Sequence, residues 1–173
     1  MRFSSLYFRV KVYCTAVVAL VAMAACNDID CPLYNTVQAH FGFYNSSTKA
    51  KLNLTDTLTI KALGTDSVLY NKGIGHHALM LPMSYTADAD TLLWQWNSPT
   101  GASWIDTLII SKTNWLYSES MDCSTMVFHH IKAITWCNDT ASPKHTAKID
   151  SVVIVKKEVT YEATEHIQVF ISQ

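Results

Sequence analysis

The sequence predicts an all-β protein, an antiparallel β-sandwich of eight or nine short strands, immunoglobulin-like or related, preceded by a cleaved signal peptide. Three observations predict it. Apolar residues recur with period two, and beyond residue 25 no long segment carries the 3.6-residue period of a helix. Clusters of Asn, Asp, Gly, Ser and Pro punctuate the chain at strand-length intervals. Hydrophobic residues make up 49% of the 173 and charged residues 16%, which suits one sizeable core and excludes a disordered chain.

The strands follow in order. Val37, Ala39, Phe41 and Phe43 alternate with Gln38, His40, Gly42 and Tyr44. Leu58 and Ile60 alternate with Thr57, Thr59 and Lys61, and Leu79, Leu81 and Met83 repeat the pattern. Leu92, Trp94 and Trp96 follow, then the apolar run Asp106 to Ile110. Val127, His129, Ile131 and Ala133 predict one face of the next strand, and Ser151–Val155 and His166–Ile171 close the chain. Turns are expected at Asn45-Ser46-Ser47, Gly64-Thr65-Asp66, Asn71-Lys72-Gly73, Asn97 to Gly101 and Asn138 to Pro143.

The first 25 residues stand apart. Arg2, Arg9 and Lys11 make a positive start, and Val12 to Ala25 is uncharged and largely apolar. That stretch is shorter than the roughly 20 residues of a membrane-spanning helix. It ends in Met23-Ala24-Ala25-Cys26, which resembles a lipobox, the processing site of bacterial lipoproteins, with Met where Leu is commoner. The resemblance implies cleavage before Cys26 and a diacylglycerol on its thiol. Each buried lipid CH₂ contributes about 0.8 kcal/mol, so several chains anchor firmly. The expected organisation is a leader over residues 1–25 and a single domain over 26–173, attached to the outer membrane through lipid on Cys26. Asp28 and Asp30 loosely resemble the surface-export signals of Bacteroidetes lipoproteins.

Residues 26–173 carry ten Lys and Arg against fourteen Asp and Glu, a net charge of −4. That balance offers no footprint for nucleic acid. Cys31, Cys123 and Cys137 remain after the leader and Cys26 are set aside, and three thiols allow three single bridges. Cys31–Cys123 is favoured, because both lie in loop-like surroundings where a staple would hold the N-terminal segment. No CxxC or closely spaced Cys/His set is present, so no metal and no cofactor are expected.

Enzymatic motifs are also missing. There is no G-x-S-x-G elbow and no H-E-x-x-H. The pairs His76-His77 and His129-His130 point to opposite faces if they lie in strands, so neither chelates one ion easily. His129, between Val127 and Ile131, reads as a core histidine, and Glu158, Glu162 and Glu165 read as a solvated connection. The aromatics are more suggestive. Trp94, Trp96, Trp104 and Trp115 fall close together. Most would fill the core, while Trp104 and Trp115, near strand ends, are the expected surface contacts for a glycan or protein partner.

A triplet of Asp, Thr or Ser, and a small or apolar residue occurs at Asp56, Asp66, Asp90, Asp106, Asp139 and Asp150. Average usage predicts about one copy. Strand entry explains it, with Asp closing a turn and Thr or Ser opening the strand. The triplet also resembles the acceptor for O-glycosylation in Bacteroidetes, for which Thr140 is the best-placed hydroxyl.

Several longer stretches carry a family resemblance. They are Cys31 to Thr36, Phe41 to Tyr44, Leu54 to Thr59, Gly64 to Leu69, Leu81 to Tyr85, Glu119 to Cys123 and Phe128-His129. Together they resemble a family of small uncharacterised Bacteroidetes outer-membrane lipoproteins, over most of residues 26–173. The resemblance implies a lipid-anchored envelope β domain and agrees with a Cys31–Cys123 pairing. It carries over no catalytic residue. The expected role is therefore a non-enzymatic binding or assembly module, with an envelope enzyme or glycan-binding accessory protein as the alternative.

Overall fold

The structure, a computed structural model, describes Tyr13, Cys31 and residues 37–65, 67–139 and 146–173. Cys26, Asp66 and Thr140 lie outside the described residues, as does the leader apart from Tyr13. The chain divides into two units, Met1–Pro32 and Leu33–Gln173, and the second holds all ten described strands. These are β1 (Gln38–Asn45), β2 (Thr57–Ala62), β3 (Val68–Gly73), β4 (Ala78–Pro82), β5 (Ala89–Asn97), β6 (Ser103–Tyr117), β7 (Met126–Cys137), β8 (Lys148–Ile154), β9 (Glu158–Val159) and β10 (Ile167–Ser172). They form a four-stranded sheet, β4-β1-β10-β8, and a six-stranded sheet, β3-β2-β5-β6-β7-β9.

Alternation decides which face is buried. From the smaller sheet, Phe41 and Phe43 of β1, Leu79 and Leu81 of β4, and Ile167, Val169 and Ile171 of β10 enter the core. From the larger sheet come Leu58 and Ile60 of β2, Leu92, Trp94 and Trp96 of β5, and Trp104, Leu108 and Ile110 of β6. The layers meet where Phe41 and Phe43 set their rings edge-on to Trp94, at 6.1 and 6.0 Å. Burying an indole of this kind removes about 200 Å² from water, worth on the order of 5 kcal/mol of transfer free energy. The predicted sandwich is thus the observed one.

Four details depart from the expected layout. β1 pairs with β10 in parallel, Phe41 against Ile167, while every other named pair is antiparallel. Asn71-Lys72-Gly73, expected as a turn, ends β3, where bulges distort the pairing with β2. The register slips again between Ser111 and Lys112, leaving Lys132 of β7 as the extra residue. Ile134, not Ala133, therefore follows Ile131 on the inner face, where it packs on the core. Trp104, expected at the surface, is 2% exposed and belongs to the core. The register sets Trp96 opposite Trp104, so Trp104 shares the inward face, and the two indoles stack at 6.5 Å.

Candidate functional site

The longest strands build the most distinctive surface. β6 and β7 form a hairpin that runs past the end of β5, from the pair Ser111–Ala133 to the pair Tyr117–Met126. On its core side the pairs are Lys112–Ile131 and Asn114–His129. On the opposite side Trp115 faces Phe128. Phe128 is nearly buried, because three rings cover it. Tyr117 stacks on it at 4.6 Å, Trp115 meets it edge-on at 5.9 Å, and Tyr161 lies tilted at 5.7 Å. Trp115 and Tyr161 remain 39% and 42% exposed. Glu119 is the largest of the influences that raise the Tyr161 hydroxyl above its ordinary pKa, followed by Tyr117, desolvation and Glu162. The result is an aromatic platform with an acidic rim. Leu116 and Met121, close by in sequence, are also exposed.

A buried polar cluster lies behind the hairpin. Lys112 is fully buried, and its Nζ donates to the carbonyls of Ser84 (2.5 Å) and Ala87 (2.6 Å) and to Asn114 Oδ1 (2.9 Å). The Asp90 carboxylate stands 3.6 Å away and accepts from the Ser84 amide. Burial lowers the Lys112 pKa and raises that of Asp90, outweighing their mutual attraction. Asn114 also bonds Nδ1 of His129 at 2.7 Å, and the ring of Tyr85 stacks on His129 at 6.3 Å. Burial first, then the Lys112 charge, holds His129 down at a pKa of about 4. The ammonium donates to three protein oxygens, so the cluster ties the β4–β5 connection to β6. Asp90 and Ser84 also line a cleft of about 410 Å³ with Thr65, Ser67, Met83 and Thr91.

The outer face of the smaller sheet holds a third group. Glu165 accepts from Tyr44 Oη at 2.9 and 3.0 Å and from Gln168 Nε2 at 2.8 Å. Its carboxylate lies over Gly42, where any Cβ would collide with it and with the Tyr44 ring. Glu165 and His40 border a hollow of about 150 Å³, too small for most ligands. His166 is buried, accepts the His40 amide on Nδ1 at 3.1 Å, and is held at a pKa of about 4 by burial, then by His40 and Lys156.

The residues singled out from sequence are thus dispersed. Cys31 and Cys123 are joined in a disulfide, and Cys137, the last residue of β7, is free and exposed. Of the Asp-Thr and Asp-Ser copies, Asp56 and Asp106 are buried. Asp56 accepts from Thr146 Oγ1 at 2.7 Å, and Asp106 accepts from Trp96 Nε1 and the Asp139 amide, both at 3.0 Å. These carboxylates bridge distant segments, a role beyond turn closure. Among the described residues no group of three or more His, Cys, Asp or Glu is placed to hold a metal ion. No sequence signal points to Lys112, because charge is the ordinary mark of an exposed residue, or to Tyr161, which lies in a polar connection.

A family model described as a family of unknown function (DUF6452) matches residues 57–171. The chain belongs to DUF6452. The DUF6452 match begins at β2 and ends in β10, so it takes in the whole six-stranded sheet, the aromatic platform and the Lys112 cluster. No curated protein and no solved structure matches this DUF6452 chain.

Proposed function

We propose that this DUF6452 chain is an exported lipoprotein, held at the outer membrane by lipid on Cys26, that works as a non-enzymatic binding module. The aromatic platform on the β6–β7 hairpin is the observation that supports this reading. Trp115, Tyr117 and Tyr161 gather around Phe128 on one face of one sheet, with Glu119 beside them. Flat, rigid rings present large contact area at small conformational-entropy cost, which suits a glycan or a protein partner. The disulfide Cys31–Cys123 agrees with an oxidising compartment. Lys112 is engaged with Asp90 and three protein oxygens, and the buried Asp56 and Asp106 accept from Thr146, Trp96 and the Asp139 amide, as befits a scaffold.

Crosslinking in intact cells, followed by purification of the Cys26-anchored protein, tests the reading. The expected result is an envelope component captured by the native chain and lost with Trp115→Ala, while the far-ultraviolet spectrum is unchanged. Equal capture by Trp115→Ala would remove the platform from the account. A Cys26→Ser chain that still fractionates with the membrane would remove the lipid anchor.

A further inference from the structure

The outer face of the six-stranded sheet carries a second surface of a different character, remote in sequence from the platform. A hollow of about 570 Å³ lies over β3, β2 and β5. Its floor is made by directly opposed pairs, Thr57 with Asn97 and Thr59 with Gln95. Lys61 continues the same outward row of β2. On β3, Asn71 and Lys72 both border the hollow although they are neighbours in sequence. In a regular strand they would point to opposite faces. Here the pairing slips between Leu58–Gly73 and Ile60–Tyr70, inserting one extra residue at this point. Lys72 adopts a left-handed φ of 48°, and its amide donates to Thr59 Oγ1 at 3.2 Å. A backbone conformation that costs a side-chain-bearing residue energy is thus used to bring a second lysine to this groove.

The lining defines a ligand class. Two exposed ammonium groups border the hollow, and no acidic side chain is among its described lining residues, in a chain whose residues 26–173 net −4. Between the lysines stand hydroxyls and carboxamides, which donate and accept side by side as vicinal sugar hydroxyls do. Val68 is the one apolar side chain among the described lining residues, which give a peptide no pocket for an anchoring residue. The row from Thr57 to Lys61 is about 13 Å long, the span of two or three sugar rings. We propose that this groove binds a short acidic oligosaccharide, its carboxylate or sulfate groups on Lys61 and Lys72 and its hydroxyls on Thr57, Gln95 and Asn97. The proposal goes beyond the platform, whose acidic rim suits no anion, and stands or falls separately from it.

Calorimetric titration of the full chain in detergent tests it. The probes are a trigalacturonate, its neutral methyl ester, a heparin hexasaccharide and a polyglutamate peptide. At least one acidic sugar is expected to bind, more weakly at high ionic strength. The methyl ester is expected to bind at least about tenfold more weakly than the trigalacturonate wherever the latter binds. Lys61→Gln and Lys72→Asn should each weaken binding about fivefold, the scale of a partly exposed ion pair. Trp115→Ala should leave it unchanged. No binding of either acidic sugar, equal binding of the ester or the peptide, or indifference to both lysine variants would overturn the proposal. If the lysines and the bulge serve only to blunt an edge strand, the variants will aggregate more readily without any change in sugar affinity.

Discussion

His129 and His166 should make the fold sensitive to mild acid. Both are buried, and both are held at a pKa of about 4 against 6.5 for an exposed histidine. In each case burial is the leading cause, reinforced by a neighbouring base, Lys112 for His129 and His40 for His166. The folded chain therefore resists a proton that the unfolded chain accepts. Stability is complete above pH 6.5, falls as the pH drops from 6.5 toward 4, and stops falling on this account below 4. At about pH 5 each histidine costs on the order of 2 kcal/mol, so the two together cost about 4. That is a large share of the roughly 5–15 kcal/mol typical of a domain. Urea unfolding at pH 7.5 and pH 5.0 measures it, with His129→Gln, His166→Gln and the double variant alongside. Each single variant should remove about half of the loss between the two pH values, and the double variant most of it. A loss of the same size in the double variant would refute the reasoning, because carboxylates would then be its source.

Other outcomes follow from the packing. Lys112→Met should destabilise the fold by about 3–5 kcal/mol by chemical denaturation, since it strands the Ser84 carbonyl and takes the counter-charge from the partly buried Asp90 carboxylate, while Ala87 keeps only its bond from Asn114. Gly42→Ala should cost about 1–2 kcal/mol, because the new Cβ displaces Glu165 from Tyr44 and Gln168. Adding Glu165→Ala to Gly42→Ala should cost less than the two single effects combined, a non-additivity that a double-mutant cycle reads directly. Without reductant, a maleimide should label Cys137 in the folded chain and leave Cys31 and Cys123 untouched, as peptide mass mapping would show.

Strand identity was legible where alternation was clean. Phe41 and Phe43, Leu79 and Leu81, and Trp94 and Trp96 all face the core as their spacing implied, because one polar and one apolar face is the plainest signal a half-buried strand leaves. The signal failed at bulges. Lys132 shifts the face of β7, and the end of β3 looked like a turn because Asn71, Lys72 and Gly73 are turn-forming types. Trp104 was misplaced because burial of a residue near a strand end depends on which partner it faces, and register is not written in local composition. The platform was half legible. Trp115 was singled out, but Phe128 and Tyr161 join it only through pairing and chain return. Lys112 was invisible, since nothing local tells a buried ammonium with three oxygen partners from an exposed one.

The parallel pairing of β1 with β10 has a consequence in time. Phe41 sits beside Ile167, and the histidines next to them are 126 residues apart. Until β10 exists, β1 has β4 on one side and nothing on the other, and the apolar faces of both remain without their full cover. Bringing such distant segments together carries a loop-closure cost of about 4 kcal/mol before any contact compensates it. A chain that emerges N-terminus first therefore cannot shut its smaller sheet until β10 is free. If the protein is threaded through a membrane on its way out, that delay keeps it pliable for the whole passage. The same ordering makes Ile167 to Ser172 the latch for a strand that was made long before it.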